Sequence, residues 1–334
     1  MRKLLQSEEN KGFIFLIIFL LFAIAVMALL LVNYDSNGEE YKVSVIVNNA
    51  RSSRWDNLRA GIQLALADKN VDINFVTSDV YGNINIEKQL VEKEIKNGAD
   101  ALIVELCTSA DTQEIIRSAS DKVPIAFVET SAEAPKSTGK SIGFYTADNM
   151  QLGRDLASLV FEQNKDGNMT IAVLAGNQEM NSMIDRLSGF DEIMGEYGLK
   201  DFIVYEGSEI NFEESFNQKE LIPDIIVALD SELMENAVTW KKTNENNEYG
   251  KVRIYGIAAS NANLKDLDNG YIESVIFVND YEMGYMAATG LMEKLKSPGS
   301  DLEDGTSSYI VADREGMFDS ENQMILFPTN YLIK

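Results

Sequence analysis

The sequence contains no histidine, which excludes Ser-His-Asp and Cys-His catalysis, imidazole general bases and every zinc site that needs a His ligand. Its single cysteine, Cys107, excludes an intrachain disulfide and a thiolate cluster. Positive charge is scarce: 29 Lys and Arg stand against 53 Asp and Glu, a formal net charge of -24 at pH 7. A surface so negative repels phosphate backbones and anionic headgroups, so nucleic acid is not expected as a partner. What the chain does have is apolar residues, 45% of its 334, enough for a substantial core and more than one typical domain. Binding and carboxylate chemistry are the functions left open, and no motif calls for a metal or a cofactor.

Residues 12–32 form an uncharged run of 21, long enough at about 1.5 Å per residue to cross a hydrocarbon core about 30 Å thick. It is too long for a typical signal-peptide core, and no cysteine follows it as a lipid acceptor. An uncleaved single-pass signal anchor is expected, with a cleaved signal peptide as the alternative. Arg2, Lys3 and Lys11 precede it and Asp35, Glu39 and Glu40 follow, so residues 1–11 form a cytoplasmic tail and the rest faces the exterior. Residues 33–40 read as a linker.

From residue 41 onward, short Val- and Ile-rich runs alternate with helix-length amphipathic stretches. Strands are expected at 43–47, 71–76, 101–104 and 124–128, with starts 28, 30 and 23 residues apart, the length of one βα unit. A second array follows at 170–174, 202–205, 225–229, 253–257 and 273–278, with helices at 182–197 and 231–243. The fold class is α/β, with two doubly wound parallel-sheet lobes. Ligands of such sheets bind outside the carboxyl ends of the strands, so two facing lobes would share one cleft.

Three chemistry-like motifs fail on context. Residues 134–141 fit a permissive phosphate loop, but residues 142–146 after them are β-like where a helix is needed, and Pro135 removes a backbone donor. Asp266, Asp268 and Gly270 resemble part of a calcium loop, yet the glycine comes one position early and the terminal Glu is missing, so a turn is expected. Cys107, just after a strand, is placed to line the cleft, but reads first as a small buried hydrophobe.

Val43-Ser-Val-Ile-Val47 followed by Arg51-Ser-Ser-Arg-Trp-Asp-Asn-Leu-Arg-Ala-Gly61 resembles the opening of the type I periplasmic binding proteins of the ribose-binding and LacI-like superfamily. The resemblance continues through Gly98-Ala-Asp-Ala-Leu-Ile-Val104, Val123-Pro-Ile-Ala-Phe-Val-Glu129, Asp148-Asn149 with Gly153, Asp185-Arg186-Leu-Ser-Gly-Phe190, and Asp280 to Gly284. It covers about residues 41 to 330. A repressor is excluded, because a membrane segment stands where the DNA-binding helices would be. The resemblance implies a three-crossing hinge near Asp148, Asn279 and Ser307, with residues 41–147 and 279–307 in one lobe and 148–278 and 308–334 in the other. It implies a small, carbohydrate-like ligand delivered to an ABC permease or presented to a sensor histidine kinase, with no enzymatic step.

By position, the resemblance makes Trp55 a stacking surface, Glu129 an acceptor for hydroxyls, Arg186 a ligand-binding fork of donors and Asp230 a polar strand-end contact. For each there is an ordinary structural alternative: helix-start packing, a solvated loop acid, a helix-surface ion pair and an N-cap. The pocket also departs from the sugar-binding pattern. Ala258 stands where an Asp is usual and Val278 where a Gln is usual, while Arg51 and Arg54 leave room for a partly anionic ligand. The alternative from another class is an extracellular carbohydrate-active enzyme, which needs two carboxylates about 5 to 9.5 Å apart.

Overall fold

The computed structural model describes residues 15–27, 40–48, 52–78, 83–134, 141–165, 169–199, 201–207, 210–217 and 222–328. The chain forms two units, Met1–Tyr41 and Lys42–Lys334. In the first, α1 (residues 15–27) is helical, with Phe15, Leu16 and the large apolar residues up to Met27 exposed. Among the described residues no helix is long and apolar enough to cross a membrane. Both ends of the expected 12–32 segment, the tail at 1–11 and linker residues 33–39 lie outside the described residues.

The second unit holds two six-stranded sheets. One combines β1 (Tyr41–Asn48), β2 (Val71–Ser78), β3 (Ala101–Glu105), β4 (Ile125–Val128), β5 (Ile142–Ala147) and β11 (Gly305–Ser307), in the order β11-β5-β4-β3-β1-β2. The other combines β6 (Ile171–Gly176), β7 (Phe202–Glu206), β8 (Ile225–Ala228), β9 (Arg253–Ala258), β10 (Ser274–Val278) and β12 (Tyr309–Asp313), in the order β12-β10-β9-β8-β6-β7. The strand β12 runs antiparallel to β10, whereas the central pairs of both sheets, such as β3 with β4 and β8 with β9, are parallel. Every residue of β4 and β6 is buried, which is why they read as unbroken apolar runs: helices cover both faces.

Helices α2 (Asp56–Leu66), α3 (Ile84–Lys96), α4 (Gln113–Ser120) and α10 (Asp280–Lys296) belong with the first sheet. With the second go α5 (Asn149–Gln163), α6 (Asn181–Glu196), α7 (Phe212–Asn217), α8 (Ser231–Thr243), α9 (Asn261–Asp268) and α11 (Ser320–Leu326). Local signals end them as the sequence indicates. The Asn83 side chain caps α3, and Gly98 beyond its end takes φ 86, a conformation that favours glycine. One expectation needs correction: Asp266 and Asp268 form the last turn of α9 rather than a loop. A capping box between Ser260 and Asn263 starts that helix, and Leu264 and Leu267 bury its inner face.

The chain passes between the sheets three times, from β5 to α5 at Asp148, from β10 to α10 at Asn279 and from β11 to β12 at Ser308. The last two crossings are tied together. The Asn279 N–H donates to the Ser308 carbonyl at 2.9 Å, and Glu282 Oε2 accepts from the Ser308 N–H at 2.8 Å.

In each lobe a glycine-lined helix crossing sets the geometry near the cleft. A Cβ on Gly61 of α2 would lie 2.0 Å from the Tyr281 carbonyl oxygen of α10. On Gly153 of α5 it would lie 2.1 Å from the carbonyl oxygen of Arg186 in α6. Backbones this close leave no space for a methyl group. Gly153→Ala should therefore push α5 and α6 apart and cost about 1–3 kcal/mol of stability. Equilibrium urea denaturation checks this; an unchanged midpoint would contradict the close crossing.

Candidate functional site

The carboxyl ends of the strands in both sheets carry charged residues that meet between the lobes. Glu105 ends β3, Glu129 follows β4, Gly176 ends β6 and Asp230 follows β8. Arg54 comes from the 3-10 turn Ser53–Trp55 ahead of α2, and Arg186 from the second turn of α6. This placement is the one the strand-end rule for open α/β sheets anticipates.

Glu129 is the centre of the cluster. Its Oε2 lies 2.9 Å from Arg54 Nη2, in its own lobe, and its Oε1 accepts from Arg186 Nη2 at 2.7 Å, from the other lobe. Both Glu129 and Arg186 are 2% exposed. Glu129 is also held at φ 68, unusual for a residue with a Cβ, with its N–H on the Tyr145 carbonyl at 3.1 Å. The rest of the Arg186 fork is spent within the second lobe: Nε donates to Asn149 Oδ1 at 2.8 Å and Nη1 to the Leu229 carbonyl at 3.0 Å. The guanidinium is thus fixed on three sides, and the close crossing at Gly153 keeps α6 beside Asn149.

Further hydrogen bonds join the lobes. Met180, which precedes α6, offers no capping oxygen, so hydroxyls of the first lobe substitute: Ser109 Oγ accepts from the Asn181 N–H at 2.9 Å and Thr130 Oγ1 from the Ser182 N–H at 3.1 Å. The Ser109 N–H donates to the Glu179 carbonyl at 2.8 Å, and Asn177 Nδ2 to the Cys107 carbonyl at 3.0 Å. The lobes are drawn together around a cavity of about 20 Å³, lined by Arg54, Glu105, Asn177, Met180, Met183 and Asp230 among others. That is room for roughly one water, so a sugar-sized solute enters only when the lobes part. A larger groove of about 750 Å³ runs along α10 and β11, past Tyr145, Tyr285 and Glu293, and contains none of the charged groups that converge between the lobes.

Burial and charge act against each other here. Burial would raise the Glu129 carboxyl, but Arg54 and Arg186 outweigh it and hold it below the usual carboxylate range. Burial would weaken the Arg54 cation, yet Glu129, Asp280, Glu105 and Asp230 hold its pKa well above the usual guanidinium value. Glu105 is pushed up to about 8 by burial, although Arg54 and the Asn48 N–H, which donates to its Oε2 at 2.8 Å, pull the other way. Asp280 is 1% exposed, neither carboxylate oxygen has a hydrogen-bond partner, and burial raises it to about 7 against the pull of Arg54.

A pH dependence follows. Carboxylates whose pKa is higher folded than unfolded bind more protons in the native state, so stability falls as pH rises from their ordinary values near 4 to about 7 for Asp280 and about 8 for Glu105. Glu129 has the opposite sign: its contribution is present at neutral pH and lost below about 4. The protein should therefore melt at a higher temperature at pH 5.5 than at pH 8.5. A Glu105→Gln, Asp280→Asn double variant should flatten that difference in calorimetric melts, and an undiminished difference would contradict the assignment.

Of the residues singled out in the sequence, Arg54, Trp55, Glu129, Arg186 and Asp230 come together at the cleft, while Arg51 lies outside the described residues. Trp55 is 2% exposed, donates Nε1–H to the Asn48 carbonyl at 2.8 Å, and carries the Arg54 guanidinium 4.1 Å above its ring. In this conformation Arg54 lies over one face of the indole. Asp230 caps α8 with Oδ1, which accepts from the N–H groups of Glu232 and Leu233 at 2.9 and 3.1 Å. Glu105 was not anticipated, and Asn149 and Asp280 entered only as part of the family resemblance, with no site role given to them. Glu105 could have been found as a strand-end acid equivalent in place to Glu129. Cys107 is only partly buried; its thiol is pushed far up by burial and by Glu87, so it has no thiolate character.

Two α/β lobes, three crossings and a charged cleft between strand ends define a hinged binding protein. The sequence matches the family described as periplasmic binding protein domain over residues 43–299, and the chain belongs to that family. It is 22% identical over 237 residues to the ABC transporter periplasmic-binding protein YphF of Escherichia coli (strain K12), a match spanning 68% of this chain and 72% of that protein. Among solved structures, a carbohydrate transporter solute binding protein from Agrobacterium radiobacter in complex with D-arabinose superposes with a TM-score of 0.73 at 16% identity, covering 86% of this chain and 99% of the other. The Caulobacter myo-inositol binding protein bound to myo-inositol gives 0.72 at 16% identity, covering 85% and 97%. At these identities the solved structures establish likeness of fold.

Proposed function

We propose that this protein is an extracytoplasmic solute-binding receptor, tethered by residues 12–32 with its N-terminus in the cytoplasm, whose lobes close on a small carbohydrate-like ligand. The boundaries follow: tail 1–11, anchor 12–32, linker 33–40, and lobes of 41–147 with 279–307 and 148–278 with 308–334. The observation that carries the reading is the meeting of one buried arginine from each lobe on Glu129 at the strand ends. A cleft built this way senses whether the lobes are together, because Arg186 reaches Glu129 only when they are. The named relatives, an ABC transporter binding protein and receptors holding D-arabinose and myo-inositol, support the ligand class.

Trp55, Arg54, Glu129, Arg186 and Asp230 are assigned to the ligand site, and Arg51 beside them on sequence grounds. The closed form is presented to an ABC permease or to a sensor histidine kinase. Turnover is not assigned, because the matched family and the curated relative are binding proteins. Thermal shift of the full chain in detergent against neutral sugars, polyols, sugar acids and amino sugars tests the reading. A hit recovered unchanged supports a receptor; time-dependent conversion of the hit supports the alternative of an extracellular carbohydrate-active enzyme. Protease treatment of intact cells, with the outer surface accessible, should remove the folded domain and leave a small membrane fragment.

A further inference from the structure

Resting on the reading of the cleft as the solute site, the polar groups around it specify the ligand more closely. Among the described residues Arg54 and Arg186 are the cations of the cluster, and Glu129 already bridges them. Arg186 has little left to offer a solute, since Nε, Nη1 and Nη2 all donate to protein oxygens. The unspent groups are mostly acceptors. Glu105 has one oxygen on the Asn48 N–H and Asp230 uses one oxygen as a helix cap; both residues line the cavity. The two oxygens of Asp280 are buried without partners, and its charge acts on Arg54. The unspent donor is Arg54 Nη1, on a residue that is 6% exposed and lines the same cavity.

We propose that the site takes an amino-polyol, such as an amino sugar, with its protonated amine against Glu105 and Asp230 and a hydroxyl or ring oxygen on Arg54 Nη1. An anionic ligand fits poorly, because the arginines that would attract it are already neutralised and it would face further carboxylates at close range. A neutral polyol brings no counter-charge to these half-buried carboxylates, so Glu105, pushed up to about 8 by burial, would stay protonated at neutral pH. An ammonium group supplies the missing charge and up to three donors in one small group. The Glu105 carboxyl, raised chiefly by burial and only partly drawn back by Arg54, would be returned to its ionised form by an ammonium placed beside it. Met180 and Met183 provide the adaptable apolar wall for the carbon skeleton.

Calorimetric titration of the full chain with glucosamine, glucose and glucuronate, and with their galacto counterparts, separates the possibilities. Within a matched set the amine should bind about tenfold or more tighter than the neutral sugar, with the acid weakest. Glu105→Gln and Asp230→Asn, the second of which keeps a capping oxygen, should each shrink that preference while the melting profile stays cooperative. Equal or tighter binding of the neutral sugar or the acid would overturn the amine proposal and leave the receptor reading intact. Binding of none of the six would count against both. A preference for the amine that survives in both variants would place the ammonium elsewhere and overturn the assignment to Glu105 and Asp230.

Discussion

Glu129→Gln should lower the melting temperature of the protein more than any other single change in the cleft. The variant keeps the shape of the side chain but leaves Arg54 and Arg186 buried without a carboxylate between them. Removing one partner of a buried ion pair costs about 3–5 kcal/mol, because the remaining charge stays desolvated. For a folded part of nearly 300 residues this is a fall on the order of 10 °C. The loss should be largest at neutral pH and shrink in acid, as the native carboxyl, held below the usual carboxylate range by Arg54 and Arg186, also becomes protonated. Differential scanning calorimetry across that range reads both features. A change of less than about 2 °C at pH 7 would mean that the bridge carries no net stability.

Arg186→Met should have the largest effect on ligand binding and on closure together. Its guanidinium connects α6 to Asn149, to the end of β8 through the Leu229 carbonyl, and to Glu129 in the opposite lobe. Loss of a buried charge-assisted hydrogen bond is worth roughly 1.5 to 3 kcal/mol, which raises the dissociation constant about tenfold to a hundredfold. Because the bond to Glu129 exists only when the lobes are together, the variant should also lose part of its ligand-induced compaction in small-angle scattering. Trp55→Ala makes a contrast: the indole lies within the first lobe, so affinity should fall with compaction retained. In the double variant of Glu129 and Arg186 the stability losses should be well short of additive, since either change alone breaks the same bridge.

The fold was legible because its strands are buried on both faces. Runs such as Ile125–Val128 and Ile171–Gly176 have nothing polar to interrupt them, and the spacing between successive runs leaves room for one helix each. Helix ends at Gly98 and Gly198 were equally plain, because both take a positive φ that marks a C-terminus. The α9 terminus was misread as a turn because Asp266 and Asp268 resemble loop residues. Asp266 is in fact drawn against Lys242 on α8, at 2.5 Å from its Nζ, a contact that sequence spacing does not reveal.

The site was legible in part. Arg186, Glu129 and Trp55 emerged from family resemblance, and the structure brings them within one cluster. Their mutual pairing was not foreseeable, because it depends on two lobes separated by many residues in sequence meeting face to face. Asp280 was hidden for a related reason: at the start of α10 an acidic residue is ordinary N-terminal charge, and only its burial, with both oxygens unpartnered, makes it unusual. The substitution of Ser109 and Thr130 hydroxyls for a missing cap on α6 is likewise a product of lobe contact.

The central claim is that solute is held between the lobes, on the groups that Arg54, Glu129 and Arg186 organise. A crystal structure of the protein grown with the tightest ligand from the titrations tests it most directly. The account predicts density for the solute between the strand ends of the two sheets, within hydrogen-bond distance of Arg54 and at least one carboxylate of Glu105, Glu129 or Asp230, with the lobes closed around it. Density confined to the groove along α10 and β11, or a bound solute with the Arg54, Glu129 and Arg186 cluster untouched and solvent between it and the ligand, would contradict it.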